Sequence, residues 1–268
     1  MSPMIVVALI AAGVCLFTWI TSLITHEHSW VDRMWSIVPV VYVWVFAASA
    51  GFTDLRLTVM AALVTLWGAR LTFNFARKGG YTGTEDYRWA VLRARMTTTQ
   101  FQLFNVFFIV LYQNVILVLI TLPALTAYEN QTPFGALDVL IATLFLALLV
   151  GETVADQQQW QFHRRKAAKQ TEERFATAGL WRLSRHPNFF FEQAQWWALV
   201  LFGAVAAGSL LQWTALGALL LSVLFVGSTR FTESITLSKY PEYAHYQART
   251  SAIIPWFPRQ ASKREMTA

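Results

Sequence analysis

Seven long apolar runs, separated by shorter polar stretches, organise this sequence of 268 residues. Each run is close to the roughly 20 residues that an α-helix needs to cross the hydrocarbon layer of a membrane. The predicted spans are Met4–Thr25, Met34–Phe52, Leu57–Ala76, Phe101–Ala124, Phe134–Ala155, Phe189–Ala207 and Leu210–Ser228. The pattern therefore predicts an all-α, polytopic membrane protein with seven transmembrane helices.

The composition excludes a water-soluble globule. Apolar residues make up 56% of the chain and charged residues only 13%, whereas soluble domains carry roughly 25% charged residues. The single cysteine, Cys15, excludes an intramolecular disulfide framework. We find no internal repeat and no shift in composition that would mark a second domain, so residues 1–268 are predicted to form one integral membrane domain.

The basic residues are distributed unequally between the two sides of the predicted spans. Of the 21 lysines and arginines, six lie in Arg70–Arg95, seven in Arg164–Arg185, six from Arg230 onward and one at Arg33, which leaves Arg56 alone on the other side. Positively charged loops face the cytoplasm, so we expect an outside N-terminus and a cytoplasmic C-terminus. This would be the inner membrane in a bacterium or the endoplasmic reticulum in a eukaryote. The same rule accounts for the net charge of +6, and no nucleic-acid partner is predicted.

A polar face marks the cytoplasmic end of the fifth span. Glu152, Asp156, Gln159 and His163 follow helical spacing and share one side. Ionisable groups in the hydrocarbon cost several kcal/mol (about 3 on insertion scales), so each one inside a span is a functional hypothesis. The alternative is a solvated face where the helix leaves the membrane.

A second polar face begins the sixth span. Asn188, Glu192 and Gln195 lie on one side of a helix that is otherwise aromatic. Pro187 is explained by helix initiation alone, because proline suits the first turn. Helix initiation does not explain the other three residues, and we predict a binding role for Asn188 and Glu192.

Further polar residues lie in or beside the second, third and fourth spans. Arg70 and Asn74 are one turn apart on the third span, Asp32 precedes the second, and Tyr112 lies on the fourth. Arg70 could instead reach toward the headgroups, and Asp32 could be only a helix cap. The histidines show no spacing typical of a zinc site, so no metal is predicted.

Several motifs together resemble one superfamily of membrane enzymes. They are Gly179-Leu180-Trp181-Arg182-Leu183-Ser184-Arg185-His186-Pro187-Asn188 with Glu192, then Glu233, Lys239-Tyr240-Pro241-Glu242-Tyr243 and Ile254-Pro255, preceded by Asp32-Arg33-Met34-Trp35-Ser36, Trp67-Gly68-Ala69-Arg70, Lys78-Gly79-Gly80-Tyr81, Glu85-Asp86-Tyr87-Arg88-Trp89 and Ala155-Asp156-Gln157-Gln158. The chain is similar to the steroid 5-alpha-reductase and isoprenylcysteine methyltransferase superfamily, in a reductase-like branch. The C-terminal signature covers about residues 140–258, and the resemblance covers nearly the whole chain.

The resemblance implies an NADPH site that faces the cytoplasm. In the reductases of this superfamily the Asn-x-x-x-Glu stretch contacts the cofactor, which corresponds here to Asn188 and Glu192. The predicted cofactor-binding residues are Arg70, Asn74, Arg88, Glu152, Asp156, Arg164, Arg185, His186, Asn188, Glu192 and Glu233. Phe191 stands where relatives commonly have glycine, and a phenyl ring there would crowd the cavity.

The resemblance also implies a carbonyl-polarising pair, which this chain does not fully match. Enone reductases of the superfamily use a tyrosine on the third helix and a carboxylate on the second. Asp32 corresponds to the carboxylate, but Trp67 stands at the position of the tyrosine. The predicted catalytic residues are therefore Asp32 with Tyr87 or Tyr112, and Tyr42 is a further source of the hydroxyl.

Three functions are consistent with the sequence. The first is an NADPH-dependent reductase of a carbon–carbon double bond in a lipophilic, steroid-like or other enone substrate that enters from the bilayer. The second is a methyltransferase that uses S-adenosylmethionine on a lipid or prenylated acceptor. The third is a lipid-binding membrane protein without enzymatic activity. Each predicts contact with membrane lipids and a lipophilic small molecule.

Overall fold

The computed structural model describes residues 1–83 and 85–259, and the described part is helical without strands. Its α-helices are α1 Pro3–Thr25, α2 Trp30–Trp35, α3 Val38–Ser49, α4 Leu55–Arg77, α5 Tyr87–Arg93, α6 Thr98–Phe104, α7 Gln113–Leu119, α8 Pro123–Glu129, α9 Ala136–Ala167, α10 Pro187–Ala207, α11 Leu216–Lys239 and α12 Tyr243–Arg249. A π-helix, Asn105–Tyr112, joins α6 to α7, and short 3-10 turns cover Gly179–Arg182 and Trp213–Ala215. The predicted all-α class is confirmed.

Seven stretches within the described residues are long and apolar enough to cross a membrane, which confirms the predicted number. The second combines α2 and α3, and the fourth runs from α6 through the π-helix to α8. Two helices continue past the predicted ends of their spans, α9 beyond Ala155 to Ala167 and α11 beyond Ser228 to Lys239. Hydropathy falls where polar residues begin, but glutamine, arginine, lysine and glutamate are good helix formers.

The chain divides into two compact units. The first unit comprises residues 1–145 and 196–221, and the second comprises residues 146–195 and 222–259 within the described part. In the first unit α4 approaches the start of the second span closely at Gly68, where a Cβ atom would lie 2.5 Å from the carbonyl oxygen of Ser36. Tyr42 and Trp67 are fully buried in this unit.

A buried ion pair in the first unit involves Arg56, the one basic residue predicted to lie on the opposite side of the membrane from the others. Arg56, at the start of α4, donates from Nε to Oδ1 of Asp138 at 2.6 Å and from Nη2 to Oδ2 at 2.9 Å. Its remaining donors reach the hydroxyl of Thr132 and the carbonyl of Pro133. Since both charged side chains are 1% exposed, Arg56 is a packing residue that is neutralised within the protein.

Candidate functional site

The polar face of α9 enters the second unit and is buried there. Glu152 and Asp156 are 1% and 3% exposed, whereas His163, two turns beyond Asp156, is exposed. Because α9 is one continuous helix over this stretch, its 3.6-residue period keeps Glu152 and Asp156 on one side. The alternative of a solvated face is therefore wrong for these two carboxylates and holds only for the end of the face.

The polar face of α10 meets this carboxylate face. Pro187 begins α10, and the buried Gln195 lies two turns along. Gln195 donates from Nε2 to Oε2 of Glu152 at 2.7 Å and to the carbonyl oxygen of Phe191 at 3.1 Å. Glu192, on the same side of α10, is 8% exposed. The structure thus joins the two predicted polar faces in the second unit.

Two amide oxygens of this group have no hydrogen-bond donor among the described residues. They are Oδ1 of Asn188 and Oε1 of Gln195, and both atoms are shielded from solvent. A buried polar atom that lacks a partner costs free energy, on the order of 1–3 kcal/mol. The α9–α10 polar cluster, which we define as Glu152, Asp156, Asn188, Glu192 and Gln195, therefore presents shielded acceptors that require a donor.

Phe191 packs on a glycine of α9 in the second unit. A Cβ atom at Gly151 would lie only 2.4 Å from Cε1 of Phe191. Gly151 thus leaves room for the ring at the helix contact. From the sequence, Phe191 was expected to crowd the cavity. The role of Gly151 was missed, and its position directly before Glu152 was the only signal for it.

Arg185, His186 and Glu233 form a network with one another. Arg185 donates to Glu233 from Nε at 2.6 Å and from Nη2 at 2.9 Å, and Nε2 of His186 lies 3.1 Å from Oε1 of Glu233. The hydroxyl of Tyr243 and the amide of Gln247 also donate to this carboxylate, at 3.2 and 2.9 Å. Burial raises the pKa of Tyr243 and the charge of Glu233 raises it further, so the hydroxyl keeps its proton and donates.

The structure brings together the three network residues that were predicted to bind a cofactor, but their contacts are internal. Nη1 of Arg185 donates to the carbonyl oxygens of Gln247 and Thr250, so all three of its nitrogens have partners within the chain. Sequence reasoning missed Tyr243 as a donor to Glu233, and it missed Gln247 altogether. The cofactor role of Arg185, His186 and Glu233 stays a prediction.

The exposed basic end of α9 lies beyond the polar cluster. Arg164 is exposed. A cleft of about 200 Å³ lies beside this end of α9. Its walls include Gln158, Arg165, Glu173 and Trp181. Gln158 also accepts from the backbone N–H of Leu180 at 2.9 Å. The sequence analysis did not identify this cleft.

The other predicted cofactor residues belong to the first unit. Asn74 is buried, and its Oδ1 accepts from Nη2 of Arg77 at 2.7 Å. Arg88 donates from Nη2 to Asp86 at 2.7 Å, and Arg70 is half-buried. Asp86 also accepts from the backbone N–H of Arg88, which caps the start of α5.

The predicted catalytic residues also lie in the first unit. Oδ2 of Asp32 accepts from the indole of Trp89 at 3.3 Å. Tyr87 is 50% exposed, and Tyr112 stacks on Phe108 with 5.3 Å between ring centroids. No hydrogen bond joins Tyr112 to Asp32 among the described residues, and the catalytic role of all three stays a prediction.

Shielded donors of the first unit that have no acceptor among the described residues include the hydroxyl of Tyr42 and the indole nitrogens of Trp67 and Trp196. The two indoles meet edge to face, with ring centroids 4.8 Å apart. Of the tyrosines considered as acids, Tyr42 is completely buried and its hydroxyl has no acceptor within the part of the chain that the structure describes.

A further polar group of the first unit joins the loop after α1 to the start of α5. Glu85 accepts from the backbone N–H of His28 at 2.9 Å and from Arg93 at 2.6 Å. Burial opposes ionisation of Glu85, but these hydrogen bonds together lower its pKa. Burial also lowers the pKa of His28. Glu85 was noted only as part of a motif, because its partners are distant in sequence.

Comparison with known proteins identifies the family. The model of a family described as "Protein of unknown function (DUF1295)" matches residues 18–250. The chain belongs to the DUF1295 family. An uncharacterized protein of Schizosaccharomyces pombe is 39% identical over 258 residues, which covers 88% of this chain and 75% of the yeast protein. No solved structure matches the chain. This DUF1295 protein is therefore an integral membrane protein of a family without an assigned activity, and its polar cluster is the basis for assigning one.

Proposed function

We propose that the protein is an NADPH-dependent reductase that saturates a carbon–carbon double bond of a lipophilic, steroid-like or other enone substrate. The observation that carries the proposal is the pair of shielded amide oxygens in the α9–α10 polar cluster. Asn188 Oδ1 and Gln195 Oε1 lack donors among the described residues, and Gln195 donates to the buried carboxylate of Glu152. The resemblance of the Asn-x-x-x-Glu stretch to cofactor-binding reductases supports the same reading.

The chemistry of the polar cluster fits a dinucleotide. Its buried carboxylates and amide oxygens are acceptors, and a nicotinamide dinucleotide offers ribose hydroxyls and a carboxamide NH₂ group as donors. Asn188 and Glu192 would hold these groups, with Gln195 kept in place by its bond to Glu152. When bound, NADPH supplies the hydride, and the protein supplies orientation and electrostatics.

Arginine side chains suit the phosphates of the same cofactor. The exposed Arg164, near the end of α9, offers a planar guanidinium that binds phosphate oxygens in pairs. Arg185 is committed to Glu233, and we assign it to positioning the loop before α10.

The substrate side of the proposal concerns the first unit. Asp32 and a tyrosine hydroxyl would stabilise the charge that develops on the substrate carbonyl. Tyr87, Tyr112 and Tyr42 are the candidates for this hydroxyl. A lipophilic substrate would reach these residues from the bilayer.

The test measures cofactor binding to the purified full chain in lipid nanodiscs. NADPH, NADH and S-adenosylmethionine are titrated separately against the unmodified protein and Asn188→Leu. We expect NADPH to bind and Asn188→Leu to weaken it by about tenfold, the equivalent of one hydrogen bond worth about 1.4 kcal/mol. Asn105→Leu is the matched control, because Asn105 is also a buried amide with a shielded oxygen but lies in the first unit.

The outcomes separate the proposed reductase from its alternatives. Equal NADPH affinity in Asn188→Leu and the unmodified protein would contradict the site. Binding of S-adenosylmethionine without NADPH would replace the reductase by a methyltransferase. Binding of neither cofactor would favour a lipid-binding protein without catalysis.

A further inference from the structure

The segment that follows α12 is held in place by its backbone. We call residues 250–259 the C-terminal arm. The backbone N–H of Arg185 donates to Ser251 at 2.8 Å, and that of Trp256 donates to Leu183 at 2.9 Å. The hydroxyl of Ser184 donates to the carbonyl oxygen of Ile253 at 2.7 Å. These bonds fix the C-terminal arm to the loop that precedes α10, within the second unit.

Three large apolar side chains of the C-terminal arm nevertheless point away from the protein. Ile254, Trp256 and Phe257 are 66%, 71% and 81% exposed. Prolines at positions 255 and 258 stiffen the backbone around them. Because the backbone is held and the side chains are outside, the arm is an ordered apolar surface with nothing of the described chain covering it.

The C-terminal arm lies close to the point where the sixth span begins. Its partner residues Arg185 and Leu183 are two and four residues before Pro187, the first residue of that span, and such segments reach at most about 7 and 14 Å. This places the arm near the level at which α10 enters the hydrocarbon layer. Tryptophan is enriched at that level, where its ring is partly apolar and partly hydrated.

Basic residues flank the exposed aromatic side chains. Arg249 and Arg259 are exposed, and the backbone N–H of Arg259 donates to the carbonyl oxygen of Arg249 at 2.9 Å. Lys263 and Arg264 follow in the sequence, outside the described residues. Cations next to an apolar surface attract anionic lipid headgroups, which favours a lipid surface over another protein.

We propose that the C-terminal arm docks on the membrane surface, with Ile254, Trp256 and Phe257 in the interface and the adjacent arginines among anionic headgroups. The arm then ties the Arg185–Glu233 network to the bilayer. The proposal does not depend on the reductase activity.

A spin-label experiment in nanodiscs tests the depth of the C-terminal arm. Cys15 is the only cysteine, so Cys15→Ser gives a background in which Phe257→Cys carries a single nitroxide. Collisions with oxygen, which concentrates in the bilayer, are compared with collisions with a water-soluble nickel chelate. We expect the label at 257 to shift toward oxygen and the label in the control His245→Cys, on the exposed side of α12, to favour the nickel chelate.

Two further measurements complete the test. Ile254→Cys repeats the measurement at a second site if the first variant fails to fold. Nanodiscs of phosphatidylcholine alone and of phosphatidylcholine with phosphatidylglycerol are compared, and we expect the shift toward oxygen to be larger with the anionic lipid. Nickel access at 257 equal to that at 245 overturns the proposal, and so does protection from both reagents, which would indicate a protein partner or a second copy.

Discussion

Glu233 shows how a residue with a predicted binding role also organises its surroundings. Its carboxylate accepts from Arg185, His186, Tyr243 and Gln247. The sequence pointed to Glu233 as an acidic residue in a recognisable motif. It did not point to the partners, because these contacts join residues 10 to 48 positions apart, and no local pattern encodes them.

We expect Glu233→Gln to lower the free energy of unfolding by about 3 kcal/mol, because it leaves the guanidinium of Arg185 buried without a full counter-charge. The measurement is the thermal unfolding of the purified protein in detergent. Glu242→Gln is the control, since Glu242 is exposed at the start of α12, and it should leave the unfolding temperature unchanged. Equal behaviour of the two variants would show that the network does not stabilise the fold.

The contact between α9 and α10 shows what was predictable at the scale of the element. The two polar faces were predicted, because helical periodicity places Glu152 with Asp156 and Asn188 with Glu192. Their junction through Gln195 and the complementarity of Gly151 and Phe191 were not, because both depend on how two helices pack. The helical spacing of Glu152 to His163 predicted that α9 continues past Ala155, and the structure extends it to Ala167.

A double-mutant cycle measures this helix contact. Gly151→Ala places a Cβ atom against the ring of Phe191, and we expect a cost of about 1–3 kcal/mol from overpacking. In a Phe191→Ala background the same change should cost almost nothing. Gly227→Ala on α11 is the control, because a Cβ atom there meets nothing within 4 Å and alanine favours the helix. Equal costs of Gly151→Ala in both backgrounds would rule out the contact.

At the scale of the whole molecule, the seven apolar runs in the sequence predicted the number of candidate membrane spans in the structure. The distribution of basic residues predicts the orientation of the chain in the membrane. Arg56, the one basic residue on the opposite side in that prediction, is paired with Asp138. Neither unit boundary has a signal in the sequence, because compactness depends on contacts between distant segments.

Cysteine labelling in intact cells tests the predicted orientation. In the Cys15→Ser background, Gln131→Cys lies before α9 and Glu172→Cys lies after it, and both positions are exposed. With an outside N-terminus and a cytoplasmic C-terminus, a membrane-impermeant maleimide should react at 131 and not at 172 until the cells are lysed. Reaction at 172 in intact cells would reverse the assigned orientation.

The Arg56–Asp138 pair has a consequence for synthesis. The two residues are 82 positions apart, and translation at about 5–20 residues per second separates their appearance by roughly 4–16 s. During that interval the nascent chain carries an arginine at the start of its third span before the aspartate that neutralises it exists. The insertion machinery must therefore accommodate a cationic helix end until the fifth span emerges.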